Sequence, residues 1–286
     1  MAAEGGTIER ARTVYDKSGW RGVAGRIVRM LRRLSEPLAR RSRRRRAEAE
    51  RERIVTFNDF FFAELGVERQ AALDLHDDIC RRCDILARPT ESRQRLFFAA
   101  LKLSGFAPRA ILEIGTEHGE TAQFLGELFP GTQITTVNLP TDDPIFAAWH
   151  PEGDATHLET VATRLTAPNI DELRANTLWL GAQDLPIFDL IWLDGGHAYP
   201  EVAWDHFYCL HRLAPGGWLF SDDICLPKGR RVRQDPANGH THDVITYINA
   251  RLDPGFRLLL KRDAVSEPLA DAKYISVLHK AADDAS

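Results

Sequence analysis

Three aspartates follow apolar segments of the sequence, in positions where their carboxylates could act together. Asp194 follows the segment Phe188–Leu193, and Asp222 and Asp223 follow the segment Gly217–Phe220. If the two segments are adjacent parallel strands, the three carboxylates converge at one edge of the sheet, where like charges raise each other's pKa unless a cation separates them. We therefore predict that Asp194, Asp222 and Asp223 hold a divalent cation. The alternative is that each aspartate only caps a turn or helix.

A histidine accompanies this cluster, because His197 lies three residues after Asp194 in a Gly-Gly-His turn. An imidazole with an unperturbed pKa near ~6.5 can take a proton from a hydroxyl group at neutral pH. We predict that His197 is a general base. The alternatives are that His197 orients a substrate or is structural, and that Asp194 takes the proton.

Two glycines flank a turn that follows the apolar segment Ala110–Ile114. Gly115 lets the chain turn sharply and approach a ligand closely, and Gly119 does the same where a helix begins, with free amides that suit a polar or anionic group. The spacing is not the G-x-G-x-x-G of dinucleotide-binding proteins. The turn is predicted to bind a ligand, and the alternative is an ordinary strand-to-helix turn.

The elements that position these residues alternate between short apolar segments and helical patterns. The predicted strands are Ala110–Ile114, Gln133–Val137, Leu178–Leu180, Phe188–Leu193 and Gly217–Phe220, and the predicted helices are Thr121–Leu128 and Glu201–Leu213. Such alternation builds an α/β fold with a parallel sheet that is buried on both faces. Two further segments, Phe256–Leu260 and Tyr274–Leu278, leave little room for a crossover helix and predict an antiparallel pair at one edge.

Three motifs in this order resemble the class I S-adenosylmethionine-dependent methyltransferases, roughly from Pro108 to His279. They are Glu113-Ile-Gly115-Thr-Glu-His-Gly119, Leu190-Ile-Trp-Leu-Asp194-Gly-Gly-His197 and Leu213-Ala-Pro-Gly216-Gly217-Trp-Leu-Phe-Ser-Asp222-Asp223. Within the class, the chain is most similar to metal-dependent small-molecule O-methyltransferases of the catechol and macrolide-sugar type. The resemblance implies a Rossmann-like, doubly wound, mostly parallel seven-stranded sheet with an antiparallel last strand.

The resemblance also implies roles for individual residues. Glu113 would orient the methionine end of S-adenosyl-L-methionine, Asn138 would meet the ribose, and Asp194, Asp222 and Asp223 would hold Mg²⁺ or another divalent cation that binds vicinal hydroxyls of the acceptor. The remaining cofactor contacts would come from Gly115, Thr116, His118 and Gly119 in the turn and from Gln183 and Asp184 near the adenine. The family usually has Asp or Glu at the position of Asn138, so either Asn138 suffices or Asp142 or Asp143 reaches in from the following loop.

Composition excludes several other classes of protein. The 286 residues are 44% hydrophobic and 27% charged, which argues against a collagen-like, wholly disordered or disulfide-scaffold chain. The net charge of −4 is the sum of a basic part and an acidic part. Residues 21–54 contain thirteen Arg and four Glu, which gives a net charge of +9, and the remaining residues carry a net charge of −13. We expect this arm to be solvated or to contact an anionic membrane surface or an acidic partner. Nucleic acid is disfavoured because the arginine block lacks aromatic residues for base stacking.

We predict a basic, Arg-rich helical arm at residues 1–54, a helical cover at 55–107 and a methyltransferase domain at 108–286. An oligomer is compatible with the sequence. Four scattered cysteines, together with the lack of a signal peptide or spanning segment, favour the cytoplasm, peripheral to the membrane if the arm binds lipid.

The expected function is methyl transfer from S-adenosyl-L-methionine to a hydroxyl of a small molecule or glycoside, assisted by a divalent metal. Two alternatives remain open at this point. One is a metal-independent methyltransferase with His197 as the base, and the other is a non-catalytic Rossmann-like binding protein docked through its basic arm.

Overall fold

The computed structural model describes residues 57–86, 93–149, 155–262 and 268–282. The basic arm predicted at residues 1–54 lies outside the described residues. The helical cover and the body belong to one structural unit, Ile54–Ser286.

The described part of the chain contains nine α-helices, three 3₁₀ helices and seven strands. The α-helices are α1 (Asp59–Leu65), α2 (Arg69–Arg82), α3 (Gln94–Leu103), α4 (Glu120–Leu128), α5 (Pro144–Trp149), α6 (Ala155–Arg164), α7 (Glu201–Arg212), α8 (Arg230–Gln234) and α9 (His240–Leu252). The 3₁₀ helices are Thr177–Ala182, Pro236–Gly239 and Leu269–Asp271. The strands are β1 (Ala110–Ile114), β2 (Gln133–Asn138), β3 (Ile170–Arg174), β4 (Phe188–Leu193), β5 (Leu213–Cys225), β6 (Arg257–Leu260) and β7 (Lys273–His279).

The seven strands form one sheet in the order β3-β2-β1-β4-β5-β7-β6. Strands β1 to β5 pair in parallel, and β7 runs antiparallel to both β5 and β6. This topology confirms the predicted Rossmann-like fold and its antiparallel last strand. Because β7 is reversed and β6 is antiparallel to β7, the start of β7 and the end of β6 lie at the same edge as the carboxyl ends of β4 and β5.

Alternation of side chains along the strands divides the core into two layers. On one face, Trp192 and Phe220 pack with Phe61, Phe97 and Phe98 from α1 and α3. The other face packs against α7 and α9, with Ile191 and Leu219 facing a cluster that includes Val202, Val244 and Ile248. The predicted helical cover is therefore an integral layer of the same core.

One predicted strand is wrong. The segment Leu178–Leu180 lies in the 3₁₀ helix, which Asn176 begins by accepting a hydrogen bond from the Leu178 amide at 3.1 Å. Trp179 in this helix is 70% exposed, so the apolar residues there do not share the buried environment of a central strand. The edge strand β3 lies earlier, at Ile170–Arg174, where sequence analysis predicted no strand.

Candidate active site

The glycine turn after β1 packs directly on the end of β4. Gly115 has a φ of +99°, and a Cβ placed there would lie 2.0 Å from the backbone carbonyl oxygen of Asp194. The Gly115 amide donates to the Val137 carbonyl at 2.9 Å, and the Asp194 amide donates to the Ile114 carbonyl at 2.8 Å. The predicted cofactor turn and the first predicted catalytic carboxylate are therefore in backbone contact.

Glu113 is buried beneath this turn at the end of β1. Its Oε2 accepts a hydrogen bond from the Thr136 hydroxyl at 2.5 Å, and the hydroxyls of Thr136 and Thr116 are 2.6 Å apart. Burial raises the pKa of Glu113 to about 8, against the opposing effects of the Thr136 hydrogen bond and of Arg95. A cationic group on a ligand would favour the ionised form of this carboxyl.

The other turn residues are more engaged than the sequence suggested. The Gly119 amide donates to the Thr116 carbonyl at 2.7 Å, so the prediction that the Gly119 amide is free is wrong. Thr116 is buried, with both its hydroxyl and its carbonyl hydrogen-bonded inside the turn. His118 is exposed, and its ring lies 5.2 Å from that of His157 on α6. Of these three residues, His118 presents the most accessible polar side chain to a ligand.

Asn138 ends β2 next to the turn. Its Oδ1 accepts from the Leu139 amide at 3.0 Å, whereas its buried Nδ2 has no hydrogen-bond partner among the residues that the structure describes. The side-chain atom without a partner is thus a donor, whereas Oδ1, the acceptor expected from the sequence, already accepts one hydrogen bond and keeps one lone pair. Both carboxylate oxygens of Asp143 accept hydrogen bonds, from the Ile145 amide and from Asn176, which hold this side chain in the loop after β2. Asp142 is exposed in the loop.

Gln183 and Asp184 do not follow a strand, as the predicted strand Leu178–Leu180 implied that they would. Both are exposed, and they follow the 3₁₀ helix a few residues before β4 begins, toward the amino end of the parallel strands. The residues that directly follow β3 are Ala175 and Asn176, and the Ala175 amide donates to the Asn138 carbonyl at 2.9 Å. These two residues lie at the carboxyl edge of the sheet, where ligands bind in open α/β folds, and no sequence signal marked them because β3 itself was not predicted.

The three aspartates converge as predicted. Asp222 and Asp223 lie in an irregularity of β5, where the pairing with β7 shifts between Ser221 and Ile224 and Asp223 has a φ of +56°. Such a bulge re-aims side chains at the end of a strand. It brings Asp222 and Asp223 to the same rim as Asp194.

Two lysines that the sequence analysis missed also lie in this rim. The Lys261 Nζ donates to Asp222 Oδ2 and, at 2.6 Å, to Asp223 Oδ1, and the Lys273 Nζ donates to Asp223 Oδ2 at 2.5 Å. Lys261 and Asp222 are both buried. We call Asp194, Asp222, Asp223, Lys261 and Lys273 the charged rim.

The ammonium groups change how the rim titrates. Although burial alone would raise the pKa of Asp223, Lys261 and Lys273 hold it well below its usual range. Burial opposes the charge of Lys261, but Asp222 and Asp223 raise the pKa of its ammonium group. Burial, and then the charge of Asp222, raise the pKa of Asp194 well above its usual range, which favours a neutral Asp194.

The predicted divalent metal site is not confirmed. No group of three or more His, Cys, Asp or Glu side chains suited to a metal ion occurs in the part of the chain that the structure describes. Three of the four oxygens of Asp222 and Asp223 accept hydrogen bonds from lysine ammonium groups, which repel a cation and occupy the same lone pairs. The donor set of the charged rim therefore does not fit Mg²⁺.

His197 faces the rim from the turn after β4. Its Nε2 lies 3.6 Å from Asp194 Oδ1 and 3.7 Å from Asp223 Oδ2. Burial lowers the pKa of His197 below its ordinary value of 6.5, although Asp223 acts in the opposite direction. Burial therefore favours the neutral imidazole, the form that can accept a proton.

Comparisons with known proteins identify a matching domain in this chain. Residues 112–224 match a family described as a methyltransferase domain. No curated protein sequence matches the chain at a significant level. The matched range includes Glu113, Gly115, Asn138, Asp194 and Asp222, so it covers the turn and most of the rim.

Two solved structures are similar to this chain at low sequence identity. The O-methyltransferase TomG from Streptomyces achromogenes, involved in tomaymycin synthesis and solved with SAM, is 18% identical, with 81% of this chain and 99% of that chain covered and a TM-score of 0.50. An O-methyltransferase from Bacillus cereus, solved with SAH, is 15% identical, with 80% of this chain and 100% of that chain covered and a TM-score of 0.48.

The strand order defines the fold of this protein. It is the class I methyltransferase fold, as the three sequence motifs predicted, and residues 112–224 within it match a methyltransferase domain. No helix among the described residues is both long and apolar enough to cross a membrane.

Proposed function

We propose that the protein transfers a methyl group from S-adenosyl-L-methionine to a hydroxyl of a small molecule or glycoside. The observation that carries the proposal is the backbone contact between Gly115 and Asp194, because it joins the cofactor turn to the rim that holds His197. TomG, which shares the fold, was solved with SAM.

The cofactor would supply an electrophilic methyl group, so the protein has to align the acceptor and make its oxygen nucleophilic. In the proposal Glu113 orients the methionine end of the cofactor, and Asn138 Nδ2 donates to the ribose. His197 Nε2 accepts the acceptor's hydroxyl proton, and the carboxylate of Asp223 stabilises the imidazolium that forms.

Cofactor binding is tested by calorimetry with S-adenosylhomocysteine on the full chain. We expect one ligand per chain, and we expect Glu113→Gln to weaken binding by about tenfold, the loss of one charge-assisted contact. The matched control is Glu117→Gln, since Glu117 lies in the same turn with an exposed side chain and should not alter affinity. Absence of binding at millimolar ligand would refute the proposal.

The role of His197 is tested by incubating the protein with labelled cofactor and a metabolite extract of the source organism. His197→Ala should reduce label transfer by about 10²- to 10⁴-fold while S-adenosylhomocysteine affinity stays unchanged. His211→Ala is the control, because His211 is exposed on α7. Equal transfer by His197→Ala and the wild type would exclude His197 as the base.

A further inference from the structure

The structure places the ammonium groups of two lysines among the carboxylates that were expected to bind a divalent cation. Each of the two adjacent aspartates of β5 has a lysine partner, and Lys261 bridges both of them. The side chains of Lys261 and Asp222 are 11% and 3% exposed, so water screens this pair little.

We propose that Lys261 and Lys273 are a built-in replacement for the divalent cation, so that this methyltransferase organises its acceptor rim without metal. The inference rests on the proposed function and specifies how the same site works.

The sheet topology supports this assignment. Lys261 directly follows β6 and Lys273 begins β7, and the two residues are tied together by a backbone hydrogen bond from the Lys261 amide to the Lys273 carbonyl at 3.1 Å. The Lys261 carbonyl also accepts from the Arg93 amide at 2.8 Å. Both ammonium groups are therefore anchored by ordered backbone at the edge where the carboxylates end.

The net charge of the rim and the number of ammonium N–H donors also support the proposal. Three carboxylates and two ammonium groups leave a single negative charge, whereas three carboxylates alone would leave three. An ammonium group has three donors, and Lys261 uses two of them on Asp222 and Asp223, which leaves one N–H without an assigned partner among these contacts. That donor suits the oxygen of an acceptor, so Lys261 would be a positioning residue for the acceptor and for the two aspartates.

The test is Mn²⁺ binding, measured by electron paramagnetic resonance and by thermal shift on the chelator-treated full chain. We expect the wild type to bind no Mn²⁺ at about 1 mM and its Tm to be unchanged by the metal. Lys261→Met/Lys273→Met should bind Mn²⁺ at least about tenfold more tightly than the wild type, because the carboxylates are then uncompensated.

Lys261→Met alone covers the case in which the double variant does not fold, and its Tm should rise with added Mn²⁺. Lys102→Met is the matched control, because Lys102 is an exposed lysine on α3, and this variant should behave as the wild type. A wild-type chain that binds one Mn²⁺, with that binding lost in Asp222→Asn, would overturn the proposal. Calorimetry with S-adenosylhomocysteine on the same samples tests the proposed function separately, because cofactor binding does not depend on the identity of the rim cation.

Discussion

The contact between Gly115 and Asp194 makes one substitution particularly informative. In Gly115→Ala, the new Cβ would lie 2.0 Å from the carbonyl oxygen of Asp194 and 2.6 Å from its carbonyl carbon. Both are backbone atoms, so no side-chain rotation can relieve the clash. The ends of β1 and β4 would have to separate.

The expected cost follows from three contributions. An alanine at a φ of +99° costs about 1–2 kcal/mol, and overpacking at a buried position costs about 1–3 kcal/mol. Separation of the strands also weakens the hydrogen bond from the Asp194 amide to the Ile114 carbonyl, worth about 1 kcal/mol. Together these contributions predict a loss of roughly 3–6 kcal/mol in the free energy of unfolding.

Urea denaturation followed by circular dichroism measures this loss, and Gly66→Ala is its control. Gly66 also has a positive φ, +65°, at the end of α1, but a Cβ there meets no atom within 4 Å. The control should lose only about 1 kcal/mol. If the two variants lost equal free energy of unfolding, the close approach of β1 to β4 would not make Gly115→Ala more destabilising, and our reasoning would be wrong.

Further expectations concern the cofactor, the sheet edge and the arm. Asn138→Asp should tighten S-adenosylhomocysteine binding by about tenfold in calorimetry if the ribose donates to this position, and should weaken it if Asn138 Nδ2 is the donor as proposed. Asn58→Ala should destabilise the protein by about 2–4 kcal/mol in urea, because the Asn58 side chain pairs with both the amide and the carbonyl of buried Leu260 on edge strand β6. Glu113 has a folded pKa of about 8, above its unfolded value of 4.5, so its effect on stability is most favourable below about pH 4.5 and is lost as the pH rises to about 8. The wild type should accordingly lose about 3 kcal/mol between about pH 6 and about pH 9, and Glu113→Gln should lose less. Deletion of residues 1–54 should leave S-adenosylhomocysteine affinity unchanged while altering where the protein resides, which cofactor calorimetry and cell fractionation would show.

Most of the sheet could be predicted because its central strands are mainly apolar and buried. Phe188–Leu193 contains one polar residue, Asp189, and presents no polar face, since helices cover both sides of the sheet. The edge strand β3 was missed for the opposite reason, because Ile170–Arg174 contains three charged residues among five and is largely open to solvent. The apolar run at Leu178–Leu180 was the stronger signal in sequence, yet Asn176 begins a 3₁₀ helix there.

The acidic half of the site was also predictable, since Asp194, Asp222 and Asp223 directly follow predicted strands. The hydrogen-bond state of the turn was not, because the engagement of the Gly119 amide by the Thr116 carbonyl depends on local backbone angles. Neither was the orientation of the Asn138 amide, which is set by the neighbouring Leu139 amide.

The basic half of the rim did have a sequence signal. Lys261 follows the predicted strand Phe256–Leu260, Lys273 precedes the predicted strand Tyr274–Leu278, and the two strands were expected to be antiparallel. In a sheet whose last strand is reversed, the end of one and the start of the other must lie at the carboxyl edge of the parallel strands. That edge also collects the aspartates after β4 and β5, so topology alone brings opposite charges together. The same reasoning extends to other chains with this fold: a lysine at both positions predicts a rim compensated by the protein itself, whereas uncharged residues there leave the carboxylates available to a cation.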